Sequence, residues 1–366
     1  MKVVAFASYP VQAAATRYRL DQFTGALSER GITLTILPFL DAELFAALYK
    51  RNALPHIALG LLEAALFRFK DVLAARRAHV VLIQREAMIF GPPVIEWLCT
   101  HLNGRPMVLD LDDATYIPYT SPTFGKLGKA FKWFSKTDDL IRWSSLVTCG
   151  NTAIAEYVTS KGAKARVIPT VVDTDVFHPV PRNRQDEGLV LGWIGTHSTF
   201  PYLESTFPVL RELARDHRFR LKIVGAGKSE IRIPGVEVEN LKWELDREVR
   251  DFQSLDIGLY PIDPSLYASQ WAAGKSGFKA IQYMAVGIPF VATPVGAVRE
   301  HGKVGSTHYC ATTPDEWREA LSTLIADRES REQMGAAGRR WALEHYTLPA
   351  QADKLAAALR EAAQGT

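Results

Sequence analysis

The stretch GKSGFKAIQYMAVG, residues 274–287, sets two ammonium groups beside the start of a helix. Phe278, Ile281, Met284 and Ala285 recur on one helical face, Ser276 is placed to cap the N-terminus, and Gly287 to close the C-terminus. A helix N-terminus is already positive, so a cation there is unfavourable by roughly 0.3–1 kcal/mol. An anion reverses that sign. The N–H groups of Gly277, Phe278 and Lys279, the helix dipole, and the ammonium groups of Lys275 and Lys279 together suit a diphosphate, and glycine at 274 and 277 lets it approach the backbone. The plainer reading, in which both lysines simply reach into water, stands beside this one.

Other clusters fall at strand ends. GWIGTHST places Thr196, His197, Ser198 and Thr199 in one small loop. Their donors suit phosphate or sugar hydroxyls, and Ser198 or Thr199 equally suits a helix cap. In DLDDAT, period-two alternation sends Asp110 and Asp112 to the same face, with Asp113 beside them. Such carboxylates bind sugar hydroxyls, act as a base or hold a divalent metal; capping and turn roles are the alternative. No further ligand cluster joins the Asp-x-Asp pair, and no metal is expected. Arg85 and Glu86, in QREAMIFGPP, leave another strand as either a salt-bridged pair or acceptor-binding groups. Arg17 and Arg19 follow the first strand's loop, placed to meet an anionic acceptor or to be solvated. Gly225 and Gly227 of VGAG begin a dinucleotide fingerprint, but Glu230 stands where its third glycine belongs, so a tight turn fits better. KLGKAFKWFSK, residues 126–136, carries Lys126, Lys129, Lys132 and Lys136 with Trp133 and no acid. It reads as a basic aromatic helix suited to an anionic membrane surface, or as an ordinary helix with a solvated lysine face.

The elements that must position these groups alternate almost throughout. KVVAFAS, ITLTILPF, HVVLIQRE, MVLDLDD, SLVTCG and ARVIPTVV read as buried strands, separated by helical patterns that include residues 19–30, 126–143 and 152–160. After FHPVPRNRQDEG, residues 177–188, which has the proline and charge content of a linker, the rhythm restarts with LVLGWIG, FRLKIVGAG, DIGLYPI and IPFVAT. The predicted fold class is α/β, with two doubly wound Rossmann-like domains in tandem that face each other across a cleft: 1–178, 179–345, and a last helix, 346–366, packing back toward the first. Ligands of such sheets sit at the carboxyl ends of the strands, where all the clusters above fall.

Composition excludes several classes. At 366 residues, 47% apolar and 23% charged, the chain is an ordinary globular one of about two domains. A net charge of +3 does not suit bulk nucleic-acid binding. Cys99, Cys149 and Cys310 are far apart, with neither metal spacing nor a disulfide framework, which points to the cytoplasm. The longest apolar run, residues 54–67, is interrupted by His56 and Glu63 and is too short to span a membrane.

The segment LVTCGNTAIAEYVTSKGAKARVIPTVVDTDVFHP resembles the stretch closing the N-terminal domain of family 4 glycosyltransferases, which carries an IPNGVD…F.P signature. FKAIQYMAVGIPFVATPVGAVRE resembles their donor-site helix, and LKIVGAG their L.IVG.G. The resemblance implies a GT-B enzyme that transfers a sugar with retention of configuration, without a metal or other cofactor. Its donor is a nucleoside diphosphate sugar, held mainly by the C-terminal domain. Together with IQREA, DLDDAT and GWIGTHST, it points to a subgroup of bacterial surface-polysaccharide assembly, with a glycan or lipid-linked acceptor and a place at the inner face of the cytoplasmic membrane. Two glutamates spaced E-x7-E in the family are Gly274 and Gln282 here, the family's diphosphate-binding Arg and Lys are missing from GTHSTFPYL, and Asp112 replaces a common histidine. On this reading Lys275 and Lys279 restore the missing positive charge. Donor binding falls to Thr196, Ser198, Lys275, Ser276, Gly277, Phe278, Lys279 and Gln282, catalysis to Asp112, Lys275 and His197, and acceptor binding to Arg17, Arg19, Arg85, Glu86 and Asp113. The loss of glutamate at 274 also suits a non-catalytic GT-B scaffold, and a nucleotide-sugar epimerase shares the architecture.

Overall fold

The computed structural model describes residues 1–48, 54–118, 132–181, 188–263 and 273–365. The chain forms two compact units. One comprises Met1–Thr170, Gly274–Ser276 and Leu348–Thr366, the other Val171–Ala273 and Gly277–Thr347.

The first unit is built on β1 (Lys2–Ala7), β2 (Thr33–Pro38), β3 (Val80–Gln84), β4 (Met107–Leu111), β5 (Leu146–Cys149) and β6 (Ala165–Val167), all parallel in the order β2-β1-β3-β4-β5-β6. β3 and β4 are buried at every residue, as strands covered by helices on both faces must be. Phe6, Ile83, Leu109 and Val147 carry the core. The last helix, Leu348–Gln364, packs on this sheet and is tied down by Arg30–Asp353 and Arg166–Glu361, both at 2.7 Å. The strand order reverses between β1 and β3.

The second unit holds β7 (Leu189–Ile194), β8 (Phe219–Val224), β9 (Glu237–Leu241), β10 (Ile257–Tyr260), β11 (Phe290–Ala292) and β12 (Tyr309–Cys310). These are also parallel, in the order β12-β11-β10-β7-β8-β9. Read from β9, this is the 3-2-1-4-5-6 order of dinucleotide-binding sheets, whose ligands lie where the order reverses, here between β7 and β10. The helix Phe278–Ala285 follows β10 in the chain and is buried from Ala280 onward. Gly287, at φ 69°, ends it: the Gly287 and Ile288 N–H groups donate to Met284 and Tyr283. Arg339 donates to the carbonyls of Ala285, Thr174 and Phe177 and fixes the same helix end.

Sequence periodicity misses β9 and β12. β9 is a half-exposed edge carrying Glu237 and Glu239, and β12 is two residues long. Only Ala165–Val167 of the ARVIPTVV run pairs as a strand. Of the helix expected over residues 126–143, the structure shows Lys136–Trp143; Lys126 and Lys129 lie outside the described residues.

Candidate functional site

In the second unit, strand β7 runs out at Ile194 into Gly195 and the loop 196–199. A Cβ on Gly225 would meet the Gly195 carbonyl oxygen at 2.2 Å, so the turn after β8 is glycine because another backbone lies against it. Thr196 and His197 are exposed. The hydroxyls are interlocked: Thr196 Oγ1 lies 2.9 Å from Ser198 Oγ, and the Thr196 N–H donates to Thr199 Oγ1 at 3.1 Å. Thr199 therefore braces the loop rather than capping the next helix, whose N-terminus has no side-chain cap.

The helix Phe278–Ala285 begins differently from the sequence expectation. Its N-cap is Gly277, at φ 64°, with no side-chain cap, so Ser276 does not cap it. A left-handed backbone favours glycine, and a Cβ there would also fall 2.6 Å from His301 Cδ2. His301 is itself buried and hydrogen-bonded through Nδ1 to the Tyr346 hydroxyl at 2.9 Å. Sequence reading passed over this histidine, which lies twenty-four positions from the glycine it packs against. Phe278 and Lys279 are half-buried. Burial pushes the Lys279 ammonium down to about 8, against the opposing pull of Glu248. Gln282 is 2% exposed, and its Nε2 has no hydrogen-bond partner among the described residues. A buried amide left without a partner costs about 1–3 kcal/mol, which a ligand would recover.

In the first unit, the carboxylates at the end of β4 separate by role. Asp110 is buried and receives Arg19 through Nε at 3.0 Å and through Nη2, and Thr148 Oγ1 at 2.6 Å. Arg19, 4% exposed, also donates to the Ile168 carbonyl at 2.6 Å. The expectation that Arg19 meets an acceptor is corrected. A guanidinium taken out of water must be fully paired, and its partners here are internal. Arg17 is half-buried; it donates to the Gln12 carbonyl at 3.2 Å and stacks on Tyr18.

Asp112 accepts two hydrogen bonds from Arg85, Nε to Oδ1 at 2.5 Å and Nη2 to Oδ2 at 2.7 Å. Burial alone would raise the Asp112 carboxyl, but Arg85 and then Arg19 outweigh it and hold it below the usual range. A carboxylate so held is a weak base, which removes general-base duty from its expected roles and leaves orientation. Arg85 has a left-handed backbone, φ 62°, rare for a residue with a Cβ and characteristic of functional sites.

Glu86 is buried, not offered to an acceptor. Its carboxylate lies 2.7 Å from Lys136 Nζ and 3.5 Å from Lys132 Nζ, which hold it below the usual carboxylate range against the effect of burial. Lys136 also donates to the carbonyls of Met88 and Gly91 and is 2% exposed. Both expectations for this stretch, a basic face on lipid and a solvated lysine face, are corrected at these two positions: Glu86 draws both cations inward. Trp133 is half exposed.

The segment Gly274–Ser276 packs within this unit. Lys275 Nζ lies 3.5 Å from Asp113 Oδ2, and the Lys275 carbonyl accepts from Asn151 Nδ2 at 3.0 Å. Asn151 does double duty, since its Oδ1 caps the helix Thr152–Ser160. A Cβ on Gly274 would fall 2.2 Å from Ala114 Cβ, so in this conformation no glutamate fits where the family pattern carries one. Among the described residues no group of three or more His, Cys, Asp or Glu side chains is arranged to hold a metal ion, and no helix is long and apolar enough to cross a membrane.

Two parallel, doubly wound sheets of this topology define the GT-B architecture. Residues 189–327, within the second unit, match the family model "Glycosyl transferases group 1". Over nearly its whole length the chain is similar in structure to Anabaena HepE solved with UDP-glucose (TM-score 0.68, 15% identity, 98% of this chain and 99% of that one). It is likewise similar to a glycosyltransferase from Rickettsia africae (TM-score 0.70, 13% identity, 100% and 99%). A third similar structure is the sucrose-phosphate synthase of Thermosynechococcus elongatus (TM-score 0.69, 12% identity, 100% and 99%). No curated protein sequence matches the chain.

Proposed function

We propose that the protein is a retaining glycosyltransferase that moves a sugar from a nucleoside diphosphate sugar to a glycan or lipid-linked acceptor in bacterial surface-polysaccharide synthesis, at the cytoplasmic face of the membrane. The observation that carries this reading is the start of the helix Phe278–Ala285, reached from the strand-order reversal at β7 and β10. A left-handed glycine opens it, Lys279 follows within its first turn, and Gln282, whose buried amide nitrogen has no partner among the described residues, follows one turn on. A solved GT-B relative in fold holds UDP-glucose, which supports the donor class.

In the proposed reaction the bond between sugar C1 and the phosphate oxygen breaks, and the acceptor oxygen bonds to C1 from the same face. The acceptor's proton passes to the departing phosphate. The helix N–H groups and Lys279 stabilise charge as it develops on the diphosphate, the largest electrostatic demand of the reaction. Thr196, His197 and Ser198 bind phosphate or sugar, and Gln282 binds the ribose. Lys275, Asp113 and the Asp112–Arg85 pair hold the sugar or acceptor. No metal or other cofactor takes part.

The packing of Gly274 against Ala114 favours a second reading, a non-catalytic scaffold of the same fold. A panel of nucleotide-sugars, followed by mass spectrometry of products and by nucleotide-induced thermal shift, separates the two. Donor turnover with release of nucleoside diphosphate is expected. Failure of every nucleotide to shift the melting temperature would sink the transferase.

A further inference from the structure

The helix Leu54–Ala75 of the first unit is apolar on both sides. Ile57, Val72 and Ala75 face the core. Arg68, 1% exposed, locks the helix against rolling: it donates to the carbonyls of Ala87 (2.9 Å), Leu37 (2.8 Å) and Ala7 (2.8 Å) and to Asp71 (2.9 Å). The outward face is therefore a fixed feature. It carries Leu59, Leu62, Leu66, Phe69 and Leu73, each 48–68% exposed. Single exposed leucines are ordinary, but a contiguous apolar stripe marks a surface that something covers. Its spacing, 59-62-66-69-73, is the alternating three-and-four step of a two-helix seam.

The charges beside the stripe identify what covers it. One flank carries Glu63 and Lys70, both exposed, and neither has an ion-pair partner among the described residues. The other flank is Ala58 and Ala65. In a parallel pair of identical helices the charged flank would face the alanines. In an antiparallel pair it faces itself, and Glu63 of each copy meets Lys70 of the other. The midpoint between 63 and 70 puts the twofold axis beside Leu66 and Phe67. A self-complementary patch of this kind is what a closed dimer requires.

We infer that this stripe is a homodimer interface, in which the helix Leu54–Ala75 packs antiparallel against its copy about a twofold axis beside Leu66. Sedimentation equilibrium of the full chain, loaded at roughly 1–100 µM to bracket exchanging dimers, should show a dimer. Leu66→Glu should give a monomer whose circular dichroism matches the parent. Glu63→Lys and Lys70→Glu change only exposed side chains, so folding is not at stake. Each places like charges together and should raise the dimer dissociation constant by roughly tenfold or more, while the double reversal should restore affinity to near that of the parent. A monomer throughout that range overturns the proposal, as does a dimer indifferent to Leu66→Glu. A double reversal no tighter than either single change also overturns it. So does a monomer that floats with phosphatidylglycerol vesicles through this face, since lipid would then be the cover.

Discussion

Arg85 and Asp112 come from different strand ends, twenty-seven positions apart, and meet through two hydrogen bonds of 2.5 and 2.7 Å. The arginine adopts a left-handed backbone, φ 62°, where it does so. Local strain of about 1–3 kcal/mol is tolerated only where surrounding structure over-determines it, and the fork-to-fork geometry supplies that determination.

Breaking this pair from one side should cost more than the pair itself is worth. Asp112→Asn leaves a half-buried guanidinium without its counter-charge and is expected to lower stability by up to about 3 kcal/mol. Arg85→Lys keeps the charge but not the planar fork, and should recover little of the geometry. Thermal unfolding of both variants measures this; a melting temperature unchanged in Asp112→Asn would show that the pair is not holding the strand ends together.

Gly274 and Ala114 form a second testable contact. Gly274→Glu restores the family's residue but drives a Cβ to 2.2 Å from the alanine methyl. Overpacking of this kind should destabilise by about 1–3 kcal/mol. Ala114→Gly opens the space, so the double variant should regain much of that loss. If Gly274→Glu alone is as stable as the parent, the segment Gly274–Ser276 does not rest on β4's end as described.

The Lys279 ammonium, pushed down to about 8, makes donor binding depend on pH. Below pH 8 the free protein already carries the charge. Above pH 8 the lysine is neutral, and binding a diphosphate must draw a proton in. Nucleoside diphosphate affinity, measured calorimetrically, should hold steady from pH 6 to near 8 and then decline with rising pH. Lys279→Ala should bind more weakly and lose that decline. A parent profile that is flat to pH 9.5 would remove Lys279 from the diphosphate.

His308 is buried, stacked flat on Phe290 with ring centroids 4.7 Å apart, and burial pushes its pKa down to about 4. A depressed folded-state value means that the unfolded chain binds the proton first as pH falls. Stability should therefore be complete above about pH 6.5 and be lost progressively down to about pH 4, by roughly 3 kcal/mol in all. Denaturation at several pH values would show this slope, and His308→Gln should flatten it. An equal slope in that variant would place the acid sensitivity elsewhere.

Much of this architecture could be read before any coordinates. Long apolar runs separated by helical periodicity announce parallel sheets, because a strand buried on both faces has no polar side to alternate. The charged edge strand Glu237–Leu241 was invisible for the complementary reason: none of it is fully buried. Strand ends were legible as the places where the polar residues Asp110, Asp112, Arg85 and Thr196 follow apolar runs. What each side chain touches was not. Arg19 lies ninety-one positions from Asp110, and the two lysines that neutralise Glu86 come from a stretch whose composition suggested a lipid-facing surface.

By itself the sequence determined the order and type of the elements, and with them the clustering of polar groups at carboxyl ends, since hydrophobic periodicity and turn residues are local properties. Only the tertiary structure decided which charges are committed to one another and which remain for a ligand. Ion pairing depends on distances between segments far apart in the chain, and on burial, which makes an unpaired charge too costly to leave alone. That is why Arg19, Glu86 and Lys136 became internal partners, while Lys279 has no ion pair and the Gln282 amide nitrogen no hydrogen bond among the described residues.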